Sequence, residues 1–390
     1  MKFDDQILLA DGWRFSKGDW PDAVQMDFDD SGFTPVTLPH DWQILEPRDP
    51  QMEMGWSQGY YPRNETAWYR LRFDAPAAWR GKRVTLKIDG CQRFYEIYLN
   101  GERVGGHRYG YVPTLTPLDG CLRYGSGNVL AVRVNSERNA GDRWYSGAGL
   151  CRAVSLLVDE RVYLVPWGVF TRYDLRGAAA KGTVTVACGN GTGADQHAVL
   201  TVSLAGADGD PVWRGTLETV LPPGVSDLEI PLDIGPVHPW DVEDPYLYRM
   251  TVTLESEYGA DRAGETVGFR SFAFDGDTGF TLNGRPMKMY GADLHHDGGV
   301  CFGAAVPRAV IRRRLSALKR MGCNAIRCSH NPHDEALYEL CDEMGLLVID
   351  EVYDKWCNSR LYFGALFEED WRDDLKAMVL RDRNHPSVIL

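Results

Sequence analysis

Three times between residues 287 and 356 a short apolar run ends abruptly in a polar cluster, and this repetition constrains the fold more than any other feature of the chain. The run 287–291 opens into Asp293, Leu294, His295, His296 and Asp297. The run 324–327 opens into Ser329, His330, Asn331 and Pro332, and 345–349 into Asp350 and Glu351, with Trp356 just beyond. Short continuous apolar runs are what parallel strands covered on both faces require. Helical patterns separate them. Ile311, Leu315, Leu318 and Met321 recur at helical spacing between Pro307 and Gly322, and Leu337, Leu340, Cys341 and Met344 recur before Gly345. The pattern is βαβαβ, with chemistry-bearing residues at every strand end.

Polar groups at successive strand ends are the arrangement of a (β/α)₈ barrel, whose loops converge over the C-terminal mouth. The wording of the segment is also distinctive. Gly279-Phe-Thr-Leu-Asn-Gly284, Leu294-His-His-Asp297, Asn324-Ala-Ile-Arg-Cys-Ser-His330 and Asp350-Glu351 resemble, in order, the opening of the catalytic barrel of glycoside hydrolase family 2, the family of β-galactosidases and β-glucuronidases.

Upstream, residues 1–160 alternate apolar positions with turns. Val84, Leu86 and Ile88 share a face, 94–99 leads into the hairpin signal Asn100-Gly101, and 129–134 alternates again, which predicts an antiparallel β-sandwich. Aromatics are dense here: Trp13, Trp42, Trp56, Tyr60, Tyr61, Trp68, Tyr69, Tyr109, Tyr111, Trp144 and Tyr145. Core packing accounts for most of them, and a few suit the C–H faces of sugar rings. Leu38-Pro-His-Asp-Trp42, Tyr98-Leu-Asn-Gly101 and Arg143-Trp-Tyr-Ser-Gly-Ala-Gly149 resemble the family's jelly-roll sugar-binding domain. Leu150-Cys151-Arg152 departs from it, since isoleucine and tyrosine commonly precede that arginine. Residues 161–275 carry strands 183–187, 199–204, 228–232 and 248–254 at regular spacing, an immunoglobulin-like sandwich whose place resembles the family's middle domain. Residues 276–390 are then the first part of the barrel, closing with a helix pattern at Trp371, Leu375, Met378 and Val379 and the start of a fourth strand at 387–390.

Composition narrows the function. A net charge of -13 and a pI near 5.2 argue against nucleic acid, and the arginines 312–314 read as the solvent face of a helix. No apolar run approaches the roughly 20 residues that span a bilayer, and residues 1–5 show no leader, so a cytoplasmic protein without membrane contact is expected. Nine cysteines without Cys-x-x-Cys pairs fit free thiols better than disulfides. Cys323, Cys328 and His330 make a poor zinc set, because alternate strand residues face opposite ways.

The resemblance assigns site roles residue by residue. Arg327 matches the arginine that holds the family's nucleophile, although a structural ion pair inside the barrel has the same geometry. A buried partner would make its loss cost roughly 3 to 5 kcal/mol. His330 matches the sugar-binding histidine at the mouth, a packed loop histidine being the bland alternative. Asp293 and His295 share a face if the first strand extends that far. Asp350 or Glu351 lines the pocket, with Trp356 a sugar platform or a core residue. Leu-His-His-Asp resembles the galactosidase branch more than the glucuronidase branch, and the departure that follows at 298–303 leaves the choice of sugar open. The resemblance places the acid/base and nucleophile glutamates beyond Leu390, and it brings Mg²⁺ or Na⁺ near the site and a homo-oligomer in the complete protein; the residues fix neither. The expected whole is a retaining β-glycosidase of β-galactosidase type acting on terminal β-linked sugars. A non-catalytic carbohydrate-binding or scaffold protein is the alternative. Three or four parallel strands with an open edge and an uncovered inner face are also expected to pack loosely, leaving 276–390 sensitive to protease.

Overall fold

The computed structural model describes residues 1–4, 6–52, 55–61, 65–136, 143–355 and 362–390. Two sheets make the first sandwich. One orders Thr34–Val36, Trp13–Lys17, Thr66–Ala75, Ser126–Asn135, Phe94–Leu99 and Glu102–His107; the other orders Gln6–Leu8, Val154–Asp159, Arg83–Ile88 and Thr114–Pro117. The predicted hairpin turns at Asn100 (φ 54°) and Gly101 (φ 94°), the left-handed pair that a two-residue turn matched to strand twist needs. Val84, Leu86 and Ile88 are buried as expected. Thr85 and Lys87 are buried too, because their face is covered rather than solvated: Lys87 Nζ lies 5.7 Å from the Trp167 ring and 3.8 Å from Glu335 of the barrel segment.

The second sandwich packs Val162–Arg176, Ala179–Asn190 and Gly224–Pro236 against a five-stranded sheet. The edge of that sheet is Lys2–Phe3, paired with Gly264 and Ala263. The first residues of the chain therefore belong to the second sandwich. Around residue 275 the strands Phe272–Asp275 and Gly279–Leu282 pair as a hairpin, so the transition into the third unit is hydrogen-bonded rather than a free linker.

That unit contains β1 (Gly291–Leu294), α1 (Arg308–Arg320), β2 (Ala325–Cys328), α2 (Glu335–Met344), β3 (Leu347–Ile349) and α3 (Tyr362–Asp382), with β1, β2 and β3 parallel in that order. The first strand lies later than the apolar run 287–291 suggested, because Arg285–Pro286 folds back onto the hairpin and Tyr290 is still bonding Asn324. Its displacement puts Asp293 inside the strand. Ile311, Leu315 and Leu318 pack inward from α1, whereas Met321, 77% exposed, is already the helix cap before Gly322 (φ 91°). Arg314 also departs from the expected solvent face: it donates to the carbonyls of His295 and Asp297. On α2, Asp334 accepts from Ala336 N as N-cap, and Gly345 (φ 69°) ends the helix where a Cβ would fall 2.3 Å from Val242 O.

Residues 387–390 extend the sheet beside β3, with Ile389 N donating to Val348 O at 3.0 Å and Asp350 N to Leu390 O at 2.7 Å. The barrel segment is not loosely attached. Trp240 and Val242 of the second sandwich and Phe280 and Leu282 of the hairpin plug its floor against Ala325, Leu347 and Ile389. Trp240 Nε1 donates to Asp342 O at 2.9 Å, and Arg152 of the first sandwich donates to Pro332 O at 2.8 Å. The second sandwich and the hairpin thus cover part of the sheet that was expected to stand open. Among the described residues no helix is long and apolar enough to cross a membrane.

Candidate functional site

Parallel register sets Asp293 beside Arg327 and Arg327 beside Ile349, which brings the polar groups after each strand to one rim. Neighbours alternate faces. Ile326 and Cys328 therefore pack against the helices, while Arg327 between them reaches the inner face with its side chain 44% exposed. Its Nε donates to Glu351 Oε1, and its Nη1 lies 3.7 Å from Asp293 Oδ2. The other Glu351 oxygen accepts from His330 Nδ1 at 2.7 Å. One carboxylate thus fixes a guanidinium and an imidazole at the same mouth.

The same alternation separates Asp350 from Glu351. Asp350 points behind the rim, where its Oδ1 accepts from Tyr338 OH at 2.7 Å and Glu351 N at 3.0 Å. Burial, reinforced by neighbouring Asp382, holds its carboxyl well above the usual carboxylate range. Glu351 is the member of the pair that faces the mouth.

His295 directs Nδ1 at the carbonyl of Ser329, 2.7 Å away, so that nitrogen carries the proton and donates. Its ring lies flat against Trp144, with centroids 5.5 Å apart and planes 14° apart. Trp144 also meets His330 edge-on at 5.8 Å, and the two histidines are 5.9 Å apart. Trp144 comes from the first sandwich and is 4% exposed, held by Tyr111 OH on its Nε1 at 3.0 Å and by Gln58 on its carbonyl. It backs the histidines instead of offering an open platform. In the sequence Trp144 stands among the sandwich's dense aromatics and in the phrase 143–149 that resembles the sugar-binding domain, with no place at the barrel mouth assigned to it. The available signal was its phrase, a tryptophan ahead of a turn whose glycines 147 and 149 have φ of 72° and 120°.

The residues that follow His295 in the 293–297 cluster face away from the mouth. His296 turns inward to His333, with centroids 5.5 Å apart, and burial followed by the charge of Arg152 keeps both imidazoles well below their ordinary pKa. Asp297 caps its own turn by accepting from Gly299 N. Trp356 lies outside the described residues. Among those described, no three His, Cys, Asp or Glu side chains come together as a metal would require, and the oxygens of Glu351 are already taken by Arg327 and His330. Among the described residues, the side chains at this rim therefore do not assemble a carboxylate and imidazole set for Mg²⁺.

Comparison with known proteins places this geometry. Sequence models of glycosyl hydrolases family 2 match in succession: the sugar binding domain over residues 9–159, the model described simply as glycosyl hydrolases family 2 over 162–270 and the TIM barrel domain over 276–390. The chain is 36% identical over 386 residues to a β-galactosidase of Bacteroides ovatus, covering 97% of this chain and 45% of that protein. It is 32% identical over 381 residues to a putative β-glucuronidase of Formosa agariphila, covering 97% of this chain and 36% of that one. A crystal structure of a β-glycosidase from Bacteroides vulgatus superposes with a TM-score of 0.92 at 32% identity, over 98% of this chain and 49% of the other. The chain therefore spans about half the length, or less, of these relatives. With three consecutive domain models in family order and the same architecture in the solved relatives, the chain belongs to glycosyl hydrolase family 2.

Proposed function

We propose that this chain forms the sugar-holding part of a retaining exo-β-glycosidase of β-galactosidase type, which hydrolyses terminal β-linked sugars. The observation that carries the reading is the convergence of His295, His330 and the Arg327–Glu351 pair on one rim, backed by Trp144. Ring nitrogens on two fixed imidazoles suit the donor and acceptor hydroxyls of a pyranose, and half-exposed Arg327 keeps N–H groups available to a further carboxylate. Retention needs two carboxyl groups about 5 to 5.5 Å apart, one attacking the anomeric carbon and one protonating the leaving oxygen. In this reading both are glutamates beyond residue 390, and Arg327 orients the attacking one. His295, His330 and Glu351 bind and aim the sugar. The β-galactosidase and β-glucuronidase names of the relatives support a β-glycoside substrate, and the Leu294-His-His-Asp297 wording favours galactose.

A screen of the complete gene product on nitrophenyl β-glycosides tests this. Turnover is expected, with the β-galactoside preferred, and none from residues 1–390 alone. A complete protein inactive on every β-glycoside would sink the reading; turnover by the 390-residue chain that Glu351→Gln abolishes would move the chemistry onto the residues described above.

A further inference from the structure

The mouth is built from two domains, and the buried carboxylate of Asp41 is one of the groups that tie them. Asp41, in the loop Leu38-Pro-His-Asp-Trp42, is 4% exposed. Its Oδ1 accepts from the backbone N of Gln43 and of Ala148, both at 3.0 Å. Its Oδ2 accepts from Tyr145 OH and from Ala304 N, both at 2.8 Å. Tyr145 and Ala148 belong to the sandwich loop that presents Trp144, and Ala304 ends the barrel loop that begins at His295. Four donors fill the acceptor capacity of a carboxylate.

The approach is close from both sides. A Cβ on Gly147 would fall 2.6 Å from Asp41 Oδ2 and 2.5 Å from Ala304 Cβ, and a Cβ on Gly303 would fall 2.2 Å from the same oxygen. Two glycines, one from each domain, leave room for the clasp. A buried carboxylate is tolerable only while its hydrogen bonds are made, so both loops are confined to the placement that makes them. That placement is also the one that sets Trp144 flat on His295.

We infer that Asp41 is a positioning residue for the sugar pocket, fixing Trp144 against His295 across the domain boundary and so aiming His295 and His330. It touches no substrate. The kinetic consequence rests on the proposed function, whereas the positioning itself is readable without turnover. Were Asp41 only domain glue, its loss would lower stability and leave the Trp144–His295 pair intact.

A stacked imidazole quenches indole emission. In the 390-residue chain the Trp144 contribution is the wild-type emission minus that of Trp144→Phe, and His295→Ala gives its unquenched level. Asp41→Asn preserves size and the acceptor toward Gln43 and Ala148 but turns an N–H group toward the N–H of Ala304. It should raise Trp144 emission most of the way to the His295→Ala level with far-UV circular dichroism unchanged. Gly303→Ala, which displaces the same oxygen from the barrel side, should do likewise. In the complete gene product Asp41→Asn should raise KM for the nitrophenyl β-galactoside about tenfold, leave kcat within about threefold, and add nothing in a Trp144→Phe background. Trp144 emission still quenched in both variants overturns the inference, and so does an additive KM effect. A wild-type protein that cleaves no β-glycoside sinks the proposed function but leaves the emission test of Asp41 standing.

Discussion

His330 Nδ1 lies 2.7 Å from Glu351 Oε2, and the other oxygen of that carboxylate is engaged by Arg327 Nε. Two residues of the β2 end are therefore aimed by one residue of the β3 end. Glu351→Gln should disturb both, because the amide can accept on one side only and presents N–H groups on the other. In the complete gene product kcat/KM on the nitrophenyl β-galactoside should fall roughly 10- to 100-fold, the scale of a small misplacement at a reacting centre. Steady-state kinetics beside thermal unfolding would check this; unchanged kinetics would show that the pair does not aim the pocket.

Arg327 separates activity from stability. A fully buried partner left without other bonds would have made its removal cost several kcal/mol, yet Arg327 is itself 44% exposed, and Glu351, 18% exposed, keeps His330 as a second partner. Ion pairs so close to water contribute about 0.2 to 1 kcal/mol. Arg327→Ala should therefore shift the urea midpoint by an amount worth less than about 1 kcal/mol, while lowering kcat/KM as much as Glu351→Gln does. A loss of stability several times larger would mean that the guanidinium works as a structural charge.

The order of domains and the parallel strands were legible in the sequence from local pattern, and the rim positions of Asp293, His295, Arg327 and His330 from that pattern together with the family resemblance. Apolar runs mark strands, helical spacing marks the crossovers, and polar residues after a strand mark the mouth. The choice between Asp350 and Glu351 was not legible, since either residue could have ended β3 facing inward; Tyr338 on α2 decides it by holding Asp350. Trp144 and Asp41 were hidden for a different reason. Their partners His295 and Ala304 lie more than 150 residues away in another domain, and no periodicity reports a contact of that kind. Lys87 belongs to the same class, as a strand position that alternation assigns to solvent and a neighbouring domain covers.

Arg152 tests how firmly the sandwiches hold the barrel segment. It is buried, donates to Tyr111 O at 2.7 Å within its own domain and to Pro332 O at 2.8 Å across the boundary, and burial pulls its pKa down. Arg152→Met retains bulk and strands both carbonyls, at about 1 to 3 kcal/mol for each buried group left unsatisfied. The expected outcome is a lower Tm and earlier proteolytic cuts after residue 275 than in the wild type. Equal cutting of wild type and variant would show that the floor plug at Trp240 suffices without this bond.

The pair His385–Asp342 joins the last strand to α2 and gives stability a pH dependence of definite sign. Asp342 Oδ2 bonds His385 Nδ1, and its Oδ1 accepts from Ser387 N at 3.0 Å where residues 387–390 begin their run beside β3. Burial taken alone would lower the histidine's pKa. The charge of Asp342 and the hydrogen bond to it outweigh burial, with Asp382 and Glu265 adding to them, and hold it at about 9. An unfolded histidine titrates near about 6.5. A group whose pKa is higher in the folded state stabilises that state while protonated, so the contribution is full below about pH 6.5 and disappears as pH rises through about 9. Its size is on the order of 3 kcal/mol at most. Guanidinium unfolding of wild type and His385→Asn at several values between pH 6 and 10 should show a stability difference that shrinks across this window. Taking the difference cancels the tyrosines and cysteines that titrate in both proteins. A difference constant with pH would mean that His385 stays neutral against Asp342 and that the anchor of the last strand is an uncharged hydrogen bond.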